Sequence, residues 1–409
     1  IASAMVPSEQ RTGAGPLPLP ACAEHRMSKE TITVGFGVTD ITPPQGLAMS
    51  GGLDPRRNEG THDPLLATTF YASDGSSTMA VVGLDLLGLP GALADAVLDR
   101  TSRVTDLAPE GILLCCSHTH SGPYLSDPFS GGPASTELVD ESYINSLPDR
   151  IADSVGRAIQ SAQPATMHLG RSLVFQGLHH RRVISKRDGL AINTWMREQL
   201  DDLEAVPQVL GTAGPIDPEL WVARFDAADG KCLGVLVNLS LHANSRGGTA
   251  WSADYPAVIA RHISERFGPQ AATVFTPGAC ANVNPTFGGM DLEAGAESIA
   301  NQAVEAARTA KAIEGPIAVG ARGHDLQVPR RDPTTQREGA IDRLNWQGQG
   351  GRRDIFGPRV DAVTALPERL SLPVSAARIG PLGIATNPGE LFVEWGLAIK
   401  RRSPFQPTV

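Results

Sequence analysis

Cysteine is scarce. The five residues Cys22, Cys115, Cys116, Cys232 and Cys280 are odd in number and irregularly spaced. That excludes a disulfide framework and a zinc-finger pattern. Positive charge is not in excess either, with 35 Lys and Arg against 44 Asp and Glu and a net charge of -9. A nucleic-acid binder needs clustered cations to neutralise phosphates, so nucleic acid is excluded as a partner. Long apolar runs are missing as well. The best stretch, Ala80 to Leu98, carries Asp85 and Asp95, and a membrane span needs ~18 uninterrupted apolar residues. There is no internal repeat, and neither a GxGxxG, a P-loop nor a GxSxG signature. The N-terminus lacks the positive start and apolar core of ~7–15 residues that a secretory signal requires, so the expected location is cytoplasmic.

What is present describes a folded protein. The 409 residues are 41% hydrophobic and 19% charged, enough for one large or two ordinary domains. Residues 1–30 read as a flexible leader, in which PLPLP cannot hold a helix. From Thr31 onward strands and helices alternate. TITVGFGV reads as a strand, and TTFYASDGSSTMAVVGLDLLGL as a hairpin around Asp74-Gly75 leading into a buried strand. GALADAVLDRTSRV and DRIADSVGRAIQSA space their apolar residues as helices, the second from Asp149. GILLC, KCLGVLVNLSLHA and ATVFTPGA are short buried strands, and YPAVIARHISERFG and LEAGAESIANQAVEAARTA are helices. The expected fold is α/β, with mixed sheets flanked by helices in a single large catalytic domain over 31–409. Residues 325–370, rich in Arg, Gly, Gln and Pro, read as a lid or irregular excursion.

Three places carry candidate chemistry. Ser117-His118-Thr119-His120-Ser121-Gly122-Pro123 follows the buried strand directly. Strand ends opening into loops are where α/β proteins place their sites. Neutral imidazole is the commonest metal ligand and the usual general base near neutral pH. In a regular strand, residues two apart share a face. A turn with two hydrogen-bonded histidines is the competing reading. His242 ends the run Gly234–Leu241 as either a satisfied core histidine or a ligand, with Asp254 nearby to cap the next helix or orient a ligand. Glu390, in Asn387-Pro388-Gly389-Glu390, stands near the start of a further helix, where the dipole favours a carboxylate. Two His and one Glu suffice for a catalytic zinc set with an open position. The run His179-His180-Arg181-Arg182 reads as an anion site or a solvated surface stretch, and Cys280 as a candidate thiol nucleophile without a supporting signature. Asp40, His62 and Asp85 read as structural.

Taken in order, these segments resemble the neutral/alkaline ceramidase family, specifically its N-terminal catalytic domain. The stretches that carry the resemblance are Gly35-Phe36-Gly37-Val38-Thr39-Asp40-Ile41-Thr42-Pro43, Gly60-Thr61-His62-Asp63-Pro64-Leu65, Asp85, Ser117–Pro123, Arg181-Arg182, Gly214–Pro218, His242 with Ser252-Ala253-Asp254, Gly278–Pro285 and Pro388-Gly389-Glu390. The resemblance implies a zinc amidase in which His118, His242 and Glu390 bind Zn2+. It implies that His120 works beside the metal on water and the leaving amine, and that Arg181 contacts the substrate near the scissile amide, with Arg182 as a further substrate-binding residue. The substrate class implied is a small N-acyl compound.

The chain departs from the family pattern. His180 stands where Asn is usual, and Ala281-Asn282 where Gly-Asp is usual. The family's tyrosine after the zinc Glu has no counterpart, since the tyrosines are Tyr71, Tyr124, Tyr143 and Tyr255. Two expectations follow: a short variant without the family's C-terminal immunoglobulin-like domain, or a partner polypeptide that supplies the missing segment. Two other readings stand beside hydrolysis: an acyltransferase or amide-forming enzyme on the same site, and a catalytically impaired binding subunit.

Overall fold

The computed structural model describes residues 32–52, 56–126, 138–186, 189, 191–193, 209–286, 292–331 and 362–409. The leader and the greater part of the 325–370 excursion lie outside the described residues. On the flanks of that excursion Val319–Pro329 pairs antiparallel with Arg369–Ile379, which pairs with Leu382–Thr386, and residues 362–365 form a short helical turn before the second strand.

The main sheet is built from β1 (Ile32–Asp40), β2 (Leu66–Ser73), β3 (Thr78–Leu84), β4 (Ile112–Cys116), β5 (Gln163–Leu173), β6 (Glu219–Ala227), β7 (Cys232–Leu239) and β8 (Ala272–Pro277). Across the sheet they run β8-β7-β6-β5-β1-β2-β3-β4, with Lys311–Ala312 added beside β5. Neighbours are antiparallel except at the two ends, where β3–β4 and β7–β8 are parallel. The helices are α1 (Gly91–Val104), α2 (Glu141–Gln160), α3 (Tyr255–Phe267), α4 (Leu292–Arg308) and α5 (Val393–Arg402).

The near-continuous apolar reading of β3 follows from burial on both faces. Met79 and Val81 enter one core cluster with Phe70, Phe225 and Val274. Ala80, Val82 and Leu84 enter another, with Val97 of α1 and Leu147, Ile151 and Val155 of α2. A third core lies between β6–β8 and α3–α4. On the first face the sheet curls, so that β8 packs against β2, β3 and β4. Helix α2 lies so close to β1 that a Cβ on Gly35 would stand 1.9 Å from the Ala158 carbonyl oxygen. Only glycine allows that approach.

Two expected boundaries moved. Helix α2 begins at Glu141, before Asp149, because the Asp140 carboxylate accepts the Tyr143 N–H as its cap, and Pro148 is carried inside. Glu390 sits in the turn before α5, and the first-turn acid of that helix is Glu394.

Candidate metal centre

The curl of the sheet decides where the site forms. β4 and β7 lie far apart in strand order, yet the curl brings their C-terminal ends together, and each carries a histidine just beyond its end. The His120 N–H donates to the Ala243 carbonyl at 3.0 Å, joining the two loops directly. After β4 the chain leaves strand geometry: His118 adopts φ 64°, in the left-handed region. The alternation expected for residues two apart therefore does not apply. The kink at His118 turns the two rings edge to face, with centroids 5.1 Å apart.

His118, His120 and His242 each offer a ring nitrogen, and these atoms lie within 4.8 Å of one another. The Glu390 Oε2 is 3.6 Å from His118 Nε2 and 3.4 Å from His242 Nε2. Each imidazole is oriented from behind in the same way. His118 Nδ1 meets the Leu87 carbonyl at 2.8 Å, His120 Nδ1 the Gly51 carbonyl at 2.8 Å, and His242 Nδ1 the Cys280 carbonyl at 2.7 Å. A carbonyl only accepts, so each Nδ1 carries the proton and each Nε2 presents a lone pair. The Nε2 atoms of His118 and His120 are buried and make no hydrogen bond. Lone pairs from three imidazoles and a carboxylate thus face one another with no proton donor between them, an arrangement a cation satisfies. The donor set of nitrogen and oxygen suits zinc.

Electrostatics agree with that picture. Burial, followed by the neighbouring His118 and His242, holds His120 well below the usual histidine range. Burial likewise lowers His242, with Glu390 opposing. Burial raises Glu390, and positive charge at His118 and His242 lowers it; with both imidazoles neutral, a bound cation would supply that positive charge. The Glu390 side chain is 49% exposed, so the centre is open on that side.

The remaining sequence candidates fall around this centre. The Arg181 N–H donates to the Asn282 carbonyl at 2.8 Å, and its guanidinium charge is felt by both His242 and Glu390. Arg182 lies with its guanidinium 5.3 Å from the Phe392 ring centroid. The His179–Arg182 run is not a solvated stretch, since His180 is buried and the two arginines are partly buried. Burial pushes the Cys280 thiol up to about 12, which leaves it inert at neutral pH, and its carbonyl holds His242. Asp254 caps α3 and binds Ser245 Oγ at 2.5 Å and the Arg246 N–H at 2.7 Å. Residues without a local motif also matter. Arg56 grips the His120 and Ser50 carbonyls, and Gly51 gives its carbonyl to His120. Neither has a signal in sequence, because both act through backbone contacts distant along the chain.

Among solved structures, the fold is similar to the neutral ceramidase from Pseudomonas aeruginosa, with a TM-score of 0.66 and 19% identity over 91% of this chain and 65% of that one. It is also similar to a ceramidase complexed with C2, with a TM-score of 0.65 and 19% identity over 91% and 66% of the two chains. This chain therefore spans about 65% of the first structure's length. No family model matches the sequence, and no curated protein matches it. The shared architecture is the mixed α/β fold of these ceramidases, one large sheet flanked by helices.

Proposed function

We propose that this chain is a zinc-dependent, ceramidase-like hydrolase of N-acyl amides. The observation that carries the reading is the convergence of three Nδ1-locked imidazoles and the Glu390 carboxylate on one point, in a fold shared with ceramidases. His118, His242 and Glu390 would hold the metal. Zinc in such a set supplies Lewis acidity, polarising an amide carbonyl and making water acidic enough to lose a proton near pH ~7.

The chain's own residues divide the remaining work. His120, kept neutral by burial and by its two imidazole neighbours, presents a free Nε2 beside the same point. It accepts a proton there and passes it to the leaving nitrogen, the general acid–base role. Arg181, fixed through its backbone to Asn282, places positive charge where negative charge gathers on the acyl oxygen. Arg182, stacked on Phe392, contacts the substrate beside it. The substrate class is an N-acyl amide of the ceramide type.

The test is zinc content and amide cleavage in the full chain. His118→Ala, His242→Ala and Glu390→Ala should each lose zinc, and the parent protein should release fatty acid and amine from N-acyl sphingosine. Full zinc occupancy in all three variants would refute the ligand assignment.

A further inference from the structure

The candidate site draws residues from four distant parts of the chain, and one buried segment, Cys280–Asn284, touches three of them. The Cys280 carbonyl accepts His242 Nδ1–H at 2.7 Å, and the Val283 carbonyl accepts the His242 N–H at 3.1 Å. The Asn282 carbonyl accepts the Arg181 N–H at 2.8 Å. The Ala281 N–H donates at 3.0 Å to the carbonyl of Leu391, the residue after Glu390.

At the middle of this segment the Asn282 side chain is fully buried, and every polar atom of it is used. Its Oδ1 accepts the Val393 N–H at 2.9 Å, which fixes the orientation of the amide. Its Nδ2 donates to Glu394 Oε2 at 2.8 Å and approaches His180 Nε2 at 3.0 Å. His180 is itself anchored, with Nδ1 3.0 Å from the Arg182 carbonyl and Nε2 3.2 Å from Glu394 Oε1. Asn282 thus links the residue before Arg181 to the first turn of the helix that follows Glu390.

We propose that Asn282, with His180 and Glu394, is the positioning element that sets Glu390 and Arg181 relative to His242. None of the three contacts the candidate metal point in our assignment. They act by holding two backbone segments, at Arg181 and at Leu391–Val393, in one register. The proposal rests on the hydrolase reading above and adds to it the group that aligns its parts.

The chemistry of the link suggests its own test. Asn282→Asp keeps the acceptor for Val393 but replaces a donor by an oxygen facing the Glu394 carboxylate. Two anions then meet in a buried place, where like charges repel strongly. Glu394→Gln added to that variant restores the link with donor and acceptor exchanged, because the amide introduced on α5 can turn its NH2 toward the carboxylate introduced at position 282. Net charge returns to that of the parent.

The experiment titrates Zn2+ alone into the metal-free full chain against a chelator, then measures kcat and KM at saturating zinc. Partners oriented behind metal ligands typically contribute ~10–100-fold in affinity or activity. Asn282→Asp should lose on that scale in zinc affinity and in kcat, with little change in KM. The double variant should recover to within ~3-fold, about 0.7 kcal/mol. Glu394→Ala, at a side chain 40% exposed, covers the case in which Asn282→Asp does not fold. It should show the same direction of loss while remaining folded, with Tm lowered by only a few °C as one buried donor loses its acceptor. Parent-like zinc affinity and kcat in Asn282→Asp or in Glu394→Ala would overturn the proposal, as would a double variant no better than Asn282→Asp. A parent chain that binds zinc but cleaves no amide removes the hydrolase reading only, since the zinc titrations still decide the positioning role. A parent chain that binds no zinc removes both.

Discussion

Gly51→Ala is a small change aimed at one catalytic candidate. Gly51 has φ 80° and gives its carbonyl to His120 Nδ1 at 2.8 Å. A Cβ at this position would stand 2.6 Å from His120 Cγ and 2.7 Å from its Cβ and Nδ1. These are ring and ring-root atoms packed in a buried place, so the imidazole must shift. The left-handed backbone costs an alanine ~1–2 kcal/mol, and loss of the Nδ1 hydrogen bond adds ~0.5–1.5 kcal/mol. Together they predict ~1.5–3.5 kcal/mol of destabilisation. Functionally the change should mimic loss of His120. Zinc should be retained by His118, His242 and Glu390, while amide turnover falls by the ~10²–10⁴-fold expected for a lost general acid–base. The assay pairs thermal unfolding with chelator competition for zinc and release of the amine product. Full turnover, with the His120 ring resonances unchanged by NMR, would refute the reasoning.

Three further outcomes are expected. His120→Ala should keep zinc yet lose turnover by ~10²–10⁴-fold; a zinc loss equal to that of His118→Ala would make it a ligand. Arg181→Ala should lower kcat by ~10²–10³-fold, the usual loss for one donor to developing negative charge, and an unchanged kcat would remove Arg181 from the reaction. Asp85 gives a pH signature in the metal-free protein. Burial pushes its carboxyl up to about 7, with the Leu66 N–H opposing and Asp63 adding to the rise. The folded state therefore holds this proton more tightly than the unfolded state, so stability falls as pH climbs from the ordinary value of 3.8 to about 7. At ~1.4 kcal/mol per pH unit the loss is on the order of 4 kcal/mol. Asp85→Asn should flatten the dependence of urea-unfolding stability on pH across that window; an unaltered slope would count against the buried charge.

The local grammar of the chain was legible without coordinates. Periodicity placed α1, α3, α4 and the main-sheet strands β1–β4, β7 and β8, but not β5 or β6, because an apolar face must recur at the spacing of the element that buries it. The strand-end position of His118-Thr119-His120 marked a candidate site in the sequence, beside the competing reading of a hydrogen-bonded turn. Other facts required tertiary structure. The kink at His118 that turns two rings toward one point is a backbone conformation, and composition does not encode it. Neither does the carbonyl behind each imidazole, given by Leu87, Gly51 and Cys280, since any residue owns a carbonyl. Asn282 and Glu394 read as ordinary turn and helix residues until the fold sets them 2.8 Å apart across more than a hundred residues. Sequence therefore determined which elements form and which side chains bear chemistry, because both are short-range properties of neighbouring residues. The curl of the sheet decided that the ends of β4 and β7 meet, and with them the site, because that meeting depends on long-range packing of β8 against β2–β4.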